Sequence, residues 1–350
     1  APGVHVTQFK MGTDAGRFSF RGFNGEGRVN AVKLLIDGIP SNDNAGGMPY
    51  LDAVWPLDIT AMEIVRGTND ARYGLHAIAG DVNVVTRQGG NDGQLSVTAG
   101  SFGTQDLQVA KGFERGAWSQ NYFIGWRQSA GERDHADATQ RSFAGKWFYT
   151  APDGVWRGGV TARYYQNAAL EAGYLGYAEL QADPKQSPAY ASDDRSERQT
   201  RQSALHFDGR IGGDWVWAAK AYQNDYRNQR WVTFTEGGAQ QERFNDETQR
   251  GLILTATWRP DTSLAELAVD AGVDGQWQDN IAQRYRTVRR QRQATLRDWD
   301  FDLETRGAYV QAVIRPLDKL KLVPAYRVDR IWGDFIDAST GVQAPEIGRA

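Results

Sequence analysis

The residues best suited to chemistry in this 350-residue chain are arginines gathered in one polar segment. Six of them occur close together, at positions 284, 286, 289, 290, 292 and 297. A guanidinium group presents its N–H donors as a fork that matches a carboxylate, and a cluster of such groups attracts anions. The segment therefore predicts an anion-binding site, with these candidate contacts: Arg286, Arg289, Arg290 and Arg292.

Side chains typical of enzyme and metal sites show no comparable clustering. Four histidines are scattered along the chain: His5, His76, His135 and His206. They lack the i, i+4 spacing of a helical metal site, cysteine does not occur, and no Gly-x-Ser-x-Gly segment marks a nucleophilic serine. His206, Asp208 and Arg210 share one strand face, which we interpret as the wall of a polar interior. The sequence predicts no catalytic residue, no metal ligand and no permanently bound cofactor.

The composition narrows the class of protein. Aromatic residues are plentiful, with 12 Trp, 14 Tyr and 14 Phe, although the mean hydropathy is −0.59. This combination suits a β-barrel whose strands have one apolar and one wet face. No segment approaches the roughly 18–20 apolar residues of a membrane-spanning helix, so any membrane crossing must use strands. The net charge of −3 gives no reason to expect nucleic acid binding.

A two-residue period begins after the segment Gly-Gly-Asn-Asp-Gly at residues 89–93. Between residues 267 and 277 the odd positions hold Leu, Val, Ala, Val, Gly and Trp, whereas the even positions hold Ala, Asp, Gly, Asp and Gln. Since side chains alternate between the two faces of a strand, one face is apolar and the other polar. Recurrence of the pattern predicts about eleven strands, many near the ~9–11 residues that cross a bilayer.

The predicted connections alternate between short and long. Short turns are predicted at 114–116, 152–154, 212–214, 259–263 and 315–319, and longer polar connections at 129–140, 168–198, 230–245 and 285–299. An up-and-down membrane barrel has short turns at one rim and long loops at the other. Four tryptophans beside the short turns fit its aromatic girdle: Trp118, Trp156, Trp215 and Trp258. A soluble β-sandwich is the alternative left open by these patterns.

The N-terminal region resembles the plug domain of TonB-dependent outer-membrane receptors. Three segments carry the resemblance: residues 18–23, 34–40 and 59–87. The last reads ITAMEIVRGTNDARYGLHAIAGDVNVVTR and is similar to the family pattern IERIEVLRGP followed by YGxxAxGGxINIxT. It departs from that pattern at Thr68, where proline is usual, and at Asp81, where a second glycine is usual.

The resemblance implies a fold and a location. The family has a plug inside a 22-stranded barrel of the bacterial outer membrane. We therefore expect an all-β transmembrane barrel, partial with about eleven of 22 antiparallel strands, and an N-terminal mixed α+β plug. Residues 1–91 would form the C-terminal two thirds of the plug, and residues 92–350 the first half of the barrel. The family's TonB-coupling box does not occur in this sequence, which we interpret as truncation.

By the same resemblance, the expected function is TonB-dependent uptake of a scarce nutrient, most similar to that of ferric citrate and siderophore receptors. Iron would be carried in the substrate chelate. The expected partners are the TonB–ExbB–ExbD complex, a metal chelate and lipopolysaccharide, with the receptor a monomer. Within the family, cobalamin, thiamine, copper or an oligosaccharide is an alternative substrate. Outside it, a plugless porin or an outer-membrane enzyme is the alternative.

Further candidate ligand residues lie on two loops predicted to form the outer end of the plug, residues 24–31 and 41–56. They offer a polar and aromatic mixture suited to a chelate or a sugar: Asn24, Glu26, Arg28, Asn42, Asp43, Asn44, Met48, Tyr50 and Trp55. Lipopolysaccharide phosphates explain the arginine segment as well as a ligand does. Glu63 and Arg66 look like a charge pair, and the resemblance implies that they lock the plug to the barrel.

Overall fold

The computed structural model describes residues 2–8, 12–24, 31–67, 70–262 and 266–347. Within these ranges the chain forms three β-sheets, one α-helix and a few 3-10 turns. No helix there is long and apolar enough to cross a membrane.

Two small sheets make up the N-terminal region. The first pairs β1 with β2, at Val4–Thr7 and Arg17–Phe20. The second contains β3 (Val32–Ile36), β4 (Ile39–Pro40), β5 (Ile59–Arg66) and β6 (Gly80–Thr86). Its order is β4-β3-β6-β5, with β3 and β6 parallel.

A small apolar core holds these sheets together. Leu34, Val82 and Val84 are fully buried, and Phe18 and Phe20 of β2 pack against them. The tight turn between β3 and β4 consists of an aspartate and a glycine, Asp37 and Gly38, with φ of 53° and 76°. Asp-Gly suits a turn that requires two residues of positive φ, because glycine adopts that conformation without strain.

The large sheet contains the remaining strands. In chain order they are β7 (Gly93–Gly100), β8 (Thr104–Arg115), β9 (Trp118–Ser129), β10 (Ala138–Thr150), β11 (Trp156–Leu170), β12 (Arg195–Ile211), β13 (Trp215–Val232), β14 (Gln240–Trp258), β15 (Glu266–Val288), β16 (Gln291–Leu317), β17 (Leu320–Leu322), β18 (Ala325–Asp337) and β19 (Val342–Ile347). Neighbouring strands are antiparallel, and β17 pairs only with β16. The sheet has thirteen described strands, in agreement with the prediction of about eleven.

Short and long connections alternate from β8 to β14, as predicted. The longest, between β11 and β12, carries the helix α1 (Tyr177–Ala182) and a 3-10 turn at Ala189–Ala191. One prediction was wrong: residues 285–299 are not a loop. They continue β15 and β16 up to a turn at Arg289 and Arg290, both of positive φ. These strands have 23 and 27 residues, far more than the ~9–11 that cross a bilayer.

The outer face of the sheet bears aromatic rings along the short-turn rim. Trp156 stacks on Phe207 at 5.3 Å, and Trp215 stacks on Trp258 at 5.9 Å between ring centroids. Trp118 meets Tyr149 edge-on in the same band. All four predicted girdle tryptophans are therefore at the rim. Amphipathic rings of this kind suit the boundary between lipid and water.

The alternation of faces predicts different effects for two adjacent positions in β14. Leu254 lies on the outer face, whereas Thr255 lines the interior. We expect Leu254→Arg to cost about 2–4 kcal/mol, because it places a charge in the hydrocarbon layer. Thr255→Arg should be tolerated. The measurement is the heat-modifiable mobility shift of the full-length protein; equal loss of the shift in both variants would contradict the assignment of faces.

Candidate functional site

A buried ion pair joins the N-terminal region to the inner face of the large sheet. Arg163 of β11 lies 2.6 Å from Asp58, with side chains 6% and 1% exposed. The same guanidinium donates to the Ala53 carbonyl at 3.1 Å and to the Thr86 hydroxyl at 3.2 Å. Because a desolvated charge is costly without partners, this network defines one position of the N-terminal region against the sheet.

A second ion pair lies nearby, at the turn between β3 and β4. Lys146 of β10 is 2.8 Å from the Asp37 carboxylate and donates to the Thr86 carbonyl at 3.1 Å. Lys220 of β13 donates to the Asp37 carbonyl at 3.0 Å. Burial alone would raise the pKa of Asp37, but the charges of Lys146 and Arg163 outweigh burial and lower it. Asp37 is therefore ionised and paired.

Further polar contacts continue toward the long-loop rim. Arg198 of β12, 2% exposed, pairs with Asp52. Asn224 of β13 donates to the Pro40 carbonyl at 2.7 Å, and Gln249 of β14 donates to the Asn42 carbonyl at 3.1 Å. The interface is thus polar over most of its length, and several of its contacts go to backbone carbonyls.

Trp55 makes one of the apolar contacts that interrupt this polar interface. Trp55 is 4% exposed and packs on Phe123 of β9, with ring centroids 6.1 Å apart. It lies directly over Gly125, where an added Cβ would come within 2.7 Å of the indole ring. A glycine is needed there because the indole occupies the space of a side chain.

A cavity of about 240 Å³ opens between the N-terminal loops and the long-loop half of the large sheet. Its walls include Asp14, Arg17, Asn24, Asp43, Met48, Arg198, Tyr226 and Asn228. It is lined by charged and amide groups beside an aromatic ring, which suits a polar ligand. Within the described ranges, no three His, Asp or Glu side chains come together as a metal site would require.

Comparison with known proteins agrees with this geometry. Residues 1–80 match the family model of the TonB-dependent receptor plug domain. The vitamin B12 transporter BtuB of Vibrio vulnificus (strain CMCP6) is 26% identical over 202 residues, covering 49% of this chain and 32% of that protein. Residues 1–80 therefore belong to the plug-domain family of TonB-dependent receptors.

Solved receptors share the fold of the chain. The unliganded ferric citrate transporter FecA has a TM-score of 0.84 at 20% identity, over 99% of this chain and 54% of FecA. The ferric yersiniabactin receptor FyuA of Yersinia pestis has a TM-score of 0.80 at 15% identity, over 100% of this chain and 56% of FyuA. The chain therefore spans about half the length of these receptors. It has the plug and barrel fold of the family, whose members lie in the outer membrane.

The plug buries many of the side chains predicted to bind ligand. Met48, Tyr50 and Trp55 are 2%, 1% and 4% exposed, and they pack in the plug core or against the barrel. The amide oxygens of Asn24 and Asn42 accept hydrogen bonds from the plug backbone, at 2.6 Å and 2.8 Å. These five side chains thus have structural partners in this conformation, and a ligand role for them stays a prediction.

Asp43 and Asn44 lie on the plug loop nearest the barrel wall. The Asp43 carboxylate accepts from the Gly47 N–H at 2.6 Å and lines the cavity described above. Asn44 donates its backbone N–H to Glu247 at 3.0 Å and its side-chain amide to Asn280 at 3.1 Å. Two other predicted contacts, Glu26 and Arg28, lie outside the described residues.

The predicted arginines lie on different faces of the hairpin formed by β15 and β16. Arg286 lies opposite Gln241 of β14, and both side chains are on the inner face of the sheet. Arg289 and Arg290 form the turn at the tip, and Arg292 pairs with Glu242 on the other face at 2.7 Å. Neighbours in sequence alternate in direction along a strand, so the run does not form one cluster.

Glu63 and Arg66 do not pair with each other. They are three positions apart in β5, which directs their side chains to opposite faces. Glu63 accepts from Asn83 at 2.8 Å, and Arg66 donates to the Pro2 carbonyl at 2.7 Å, both within the plug. Their role in locking the plug stays a prediction. The sequence analysis did not predict the ion pairs that Asp37, Asp52 and Asp58 make with the large sheet. The basic residues at inward strand positions could have indicated that acidic partners lie inside.

We expect Arg163→Met to weaken plug docking by about 3–5 kcal/mol, because it leaves the Asp58 carboxylate buried without a counter-charge. Asp58→Asn combined with Arg163→Met should recover part of the loss. Hydrogen–deuterium exchange of the plug in the purified full-length receptor measures the effect. The control is Arg201→Met on the outer face of β12; unchanged plug protection in Arg163→Met would refute the assignment.

Asp81 generates a pH-dependent prediction. Its carboxyl is 1% exposed, and one oxygen has no hydrogen-bond partner. Burial, reinforced by nearby Asp70, raises the pKa of Asp81 from 3.8 to about 7. Between these values the folded plug holds a proton that the unfolded chain releases, so stability falls as pH rises toward 7.

Asp81→Asn removes this loss of stability. The variant should exceed the wild type by about 1–3 kcal/mol at pH 8 and by less at pH 5. The measurement is exchange protection of β6 at both pH values, corrected for the intrinsic rate. Asp279→Asn on the outer face of β15 is the control, and a pH-independent difference for Asp81→Asn would count against the assignment.

Proposed function

We propose that this chain is part of a receptor that imports a ferric siderophore or ferric carboxylate chelate across the outer membrane, driven by TonB. The observation that carries the proposal is the plug seated against the barrel wall by buried ion pairs, Arg163 with Asp58 and Lys146 with Asp37. A passive porin needs no such closure. Iron would enter as part of the substrate, without a resident cofactor, and the receptor would carry out no catalysis.

The buried ion pairs between plug and barrel explain why transport would need energy from TonB. Removing one partner of a buried ion pair costs several kcal/mol, so the plug opens rarely without external work. TonB, with ExbB and ExbD, would supply that work through the plug. Ligand binding must favour one plug arrangement over another for coupling to occur, because a ligand with equal affinity for both shifts nothing. Asp43 and Asn44 lie on the loop between the cavity and the barrel wall, and we propose that they transmit ligand binding to the contact between plug and barrel.

The assignment of parts follows the fold. Residues 1–91 would act as the plug and residues 92–350 as barrel wall, with the receptor monomeric in a lipopolysaccharide-containing leaflet. The names of similar receptors, FecA for ferric citrate and FyuA for ferric yersiniabactin, support an iron chelate as substrate. The similarity to BtuB, a vitamin B12 transporter, favours cobalamin as the second candidate.

A tether tests whether the plug must move. The sequence contains no cysteine, so Ser41→Cys and Gln202→Cys create a single pair at a contact of 3.0 Å between plug and wall. A short, reducible bifunctional thiol reagent should abolish TonB-dependent growth of a receptor-deleted strain on ferric chelates, while ligand binding persists. Each single-cysteine variant is the control, and reduction should restore growth.

Two outcomes would contradict the proposal. Growth that continues in the tethered receptor would mean that plug displacement at this contact is unnecessary. Failure of the full-length gene to support growth on every chelate of a panel, or support that is independent of TonB, would overturn the uptake function itself. Growth on cobalamin alone would establish the second candidate.

A further inference from the structure

A second cavity lies beside the plug, against the inner face of strands β13–β18. Its volume is about 330 Å³, and its walls are these strands and the plug sheet. Along β15 it extends from Asp270, near the short-turn rim, to Gln278, midway along the strand. At 3.3 Å per residue this separation is about 26 Å. We call this cavity the slot.

One plug loop separates the slot from the cavity of about 240 Å³ described above. Asp43 of this loop, residues 42–47, lines both cavities. Its neighbour Asn44 is hydrogen-bonded to Glu247 and Asn280 of the wall, which holds the loop in place. At the opposite end of the slot, near the short-turn rim, the threonine and aspartate that line it are hydrogen-bonded to each other, Thr257 to Asp270. Displacement of loop 42–47 would therefore join the external cavity to a space that reaches the periplasmic rim.

Glycines in the wall keep the slot open. The ring of Tyr222 lies against Gly251 of the next strand, where an added Cβ would come within 2.4 Å of it. The ring of Tyr309 lies in the same way against Gly272, at 2.5 Å. A glycine inside a strand weakens it and often marks a close approach of another group. Here any larger residue would push a tyrosine ring away from the wall and into the slot.

The plug meets the two parts of the wall differently. From β10–β12, long basic side chains reach plug carboxylates: Lys146, Arg163 and Arg198. From β13–β16, several of the residues that line the slot are short, among them Ala218, Thr255 and Thr305. The plug therefore fits closely against the first part of the wall and leaves a gap beside the second.

The charges that line the slot have partners within the protein. Arg327 lies 2.8 Å from Asp274 and 2.6 Å from Asp329, and Lys33 donates to the Tyr73 carbonyl. The surface left for a solute consists largely of hydroxyls, amides and aromatic rings, without a concentration of charge of one sign. A passage needs contacts that are favourable enough for a solute to enter and weak enough for it to leave. The lining of the slot suits a passage better than a tight binding site.

We infer that the slot is the route by which a hydrophilic substrate passes from the external cavity to the periplasm while the plug stays inside the barrel. The inference rests on the proposed uptake function and adds the route to it. A volume of about 330 Å³ is at the lower end of the range for small-molecule pockets, so the slot must widen, but the barrel need not be emptied.

Two movements of the plug would open this route. Loop 42–47 must leave the wall, and the turn at Gly38, which lines the slot, must move away from β13. Lys146 and Lys220 hold that turn through the Asp37 carboxylate and carbonyl. Work from TonB would be needed to break these contacts. A tether at Ser41 would fix the start of the loop and keep the two cavities apart.

The test fills the slot from the wall. In the full-length receptor, Thr255→Trp combined with Thr305→Trp should lower TonB-dependent uptake about tenfold or more, because two indole rings would occupy the passage. Binding to cells that lack TonB should change less than twofold, since both positions lie below loop 42–47. The probes are radiolabelled ferric citrate, a ferric trihydroxamate, a ferric catecholate and cyanocobalamin. The matched control is Ala256→Trp, on the outer face of β14, which should transport normally.

A reversible block provides a second measurement on a receptor that is known to fold. Thr255→Cys, in a full-length receptor without other cysteines, is treated with benzyl methanethiosulfonate, which is small enough to reach the slot from the periplasm. Uptake should fall after labelling and return after reduction, whereas binding should stay constant. Ala256→Cys, labelled in the same way, is the control for effects of the adduct outside the slot.

Two results would overturn the inference. Uptake at the wild-type rate by the double tryptophan variant or by the fully labelled Thr255→Cys receptor would place the route elsewhere. Loss of binding together with uptake in the labelled receptor would make the slot part of the binding site. Failure of the wild type to import any of the four probes would overturn the proposed function, and this result is distinguishable because it requires no variant.

Discussion

The two faces of each strand in the large sheet meet different surroundings, and this constraint governs the rest of the structure. Lipid offers no hydrogen bonds, so the backbone must be satisfied within the sheet and the outer side chains must be apolar. The inner positions are consequently left to polar residues. Arg163, Lys146 and Arg198 are inner residues of this kind, and they meet plug carboxylates. The plug is therefore held largely by charge and hydrogen bonding, with apolar contacts at Trp55, Tyr50 and Ile39.

A polar interface of this kind fixes the position of the plug in the barrel more than it increases the stability of the docked plug. Desolvating Asp58 and Arg163 costs free energy that their attraction only partly returns, so an apolar interface of the same size could be as stable. A wrong placement, however, would leave a buried charge unpaired. The carbonyls of Ala53 and Pro40 add directional contacts. A polar interface can also be rehydrated when it separates, which an apolar interface resists.

Much of the fold could be predicted from sequence because its signals are local. The two-residue period, the turn residues and the girdle tryptophans each depend on a few neighbouring positions. The prediction of a loop at residues 285–299 was wrong for a physical reason. β15 and β16 continue beyond lipid, where both faces are polar and the alternation of apolar and polar residues disappears. The burial of Met48 and Tyr50 could not be predicted from sequence, because burial of a loop side chain depends on tertiary packing, here on the plug core and on Tyr226 of the barrel.

The positions of the arginines likewise depend partly on neighbouring residues in sequence and partly on strands that are distant in sequence. The sequence groups Arg289, Arg290 and Arg292 with Arg284, but the pleat and the turn send these side chains in different directions. Register groups Arg284 with Arg243 and Arg297 instead, and no periodicity within one strand reveals which residue lies opposite on the next.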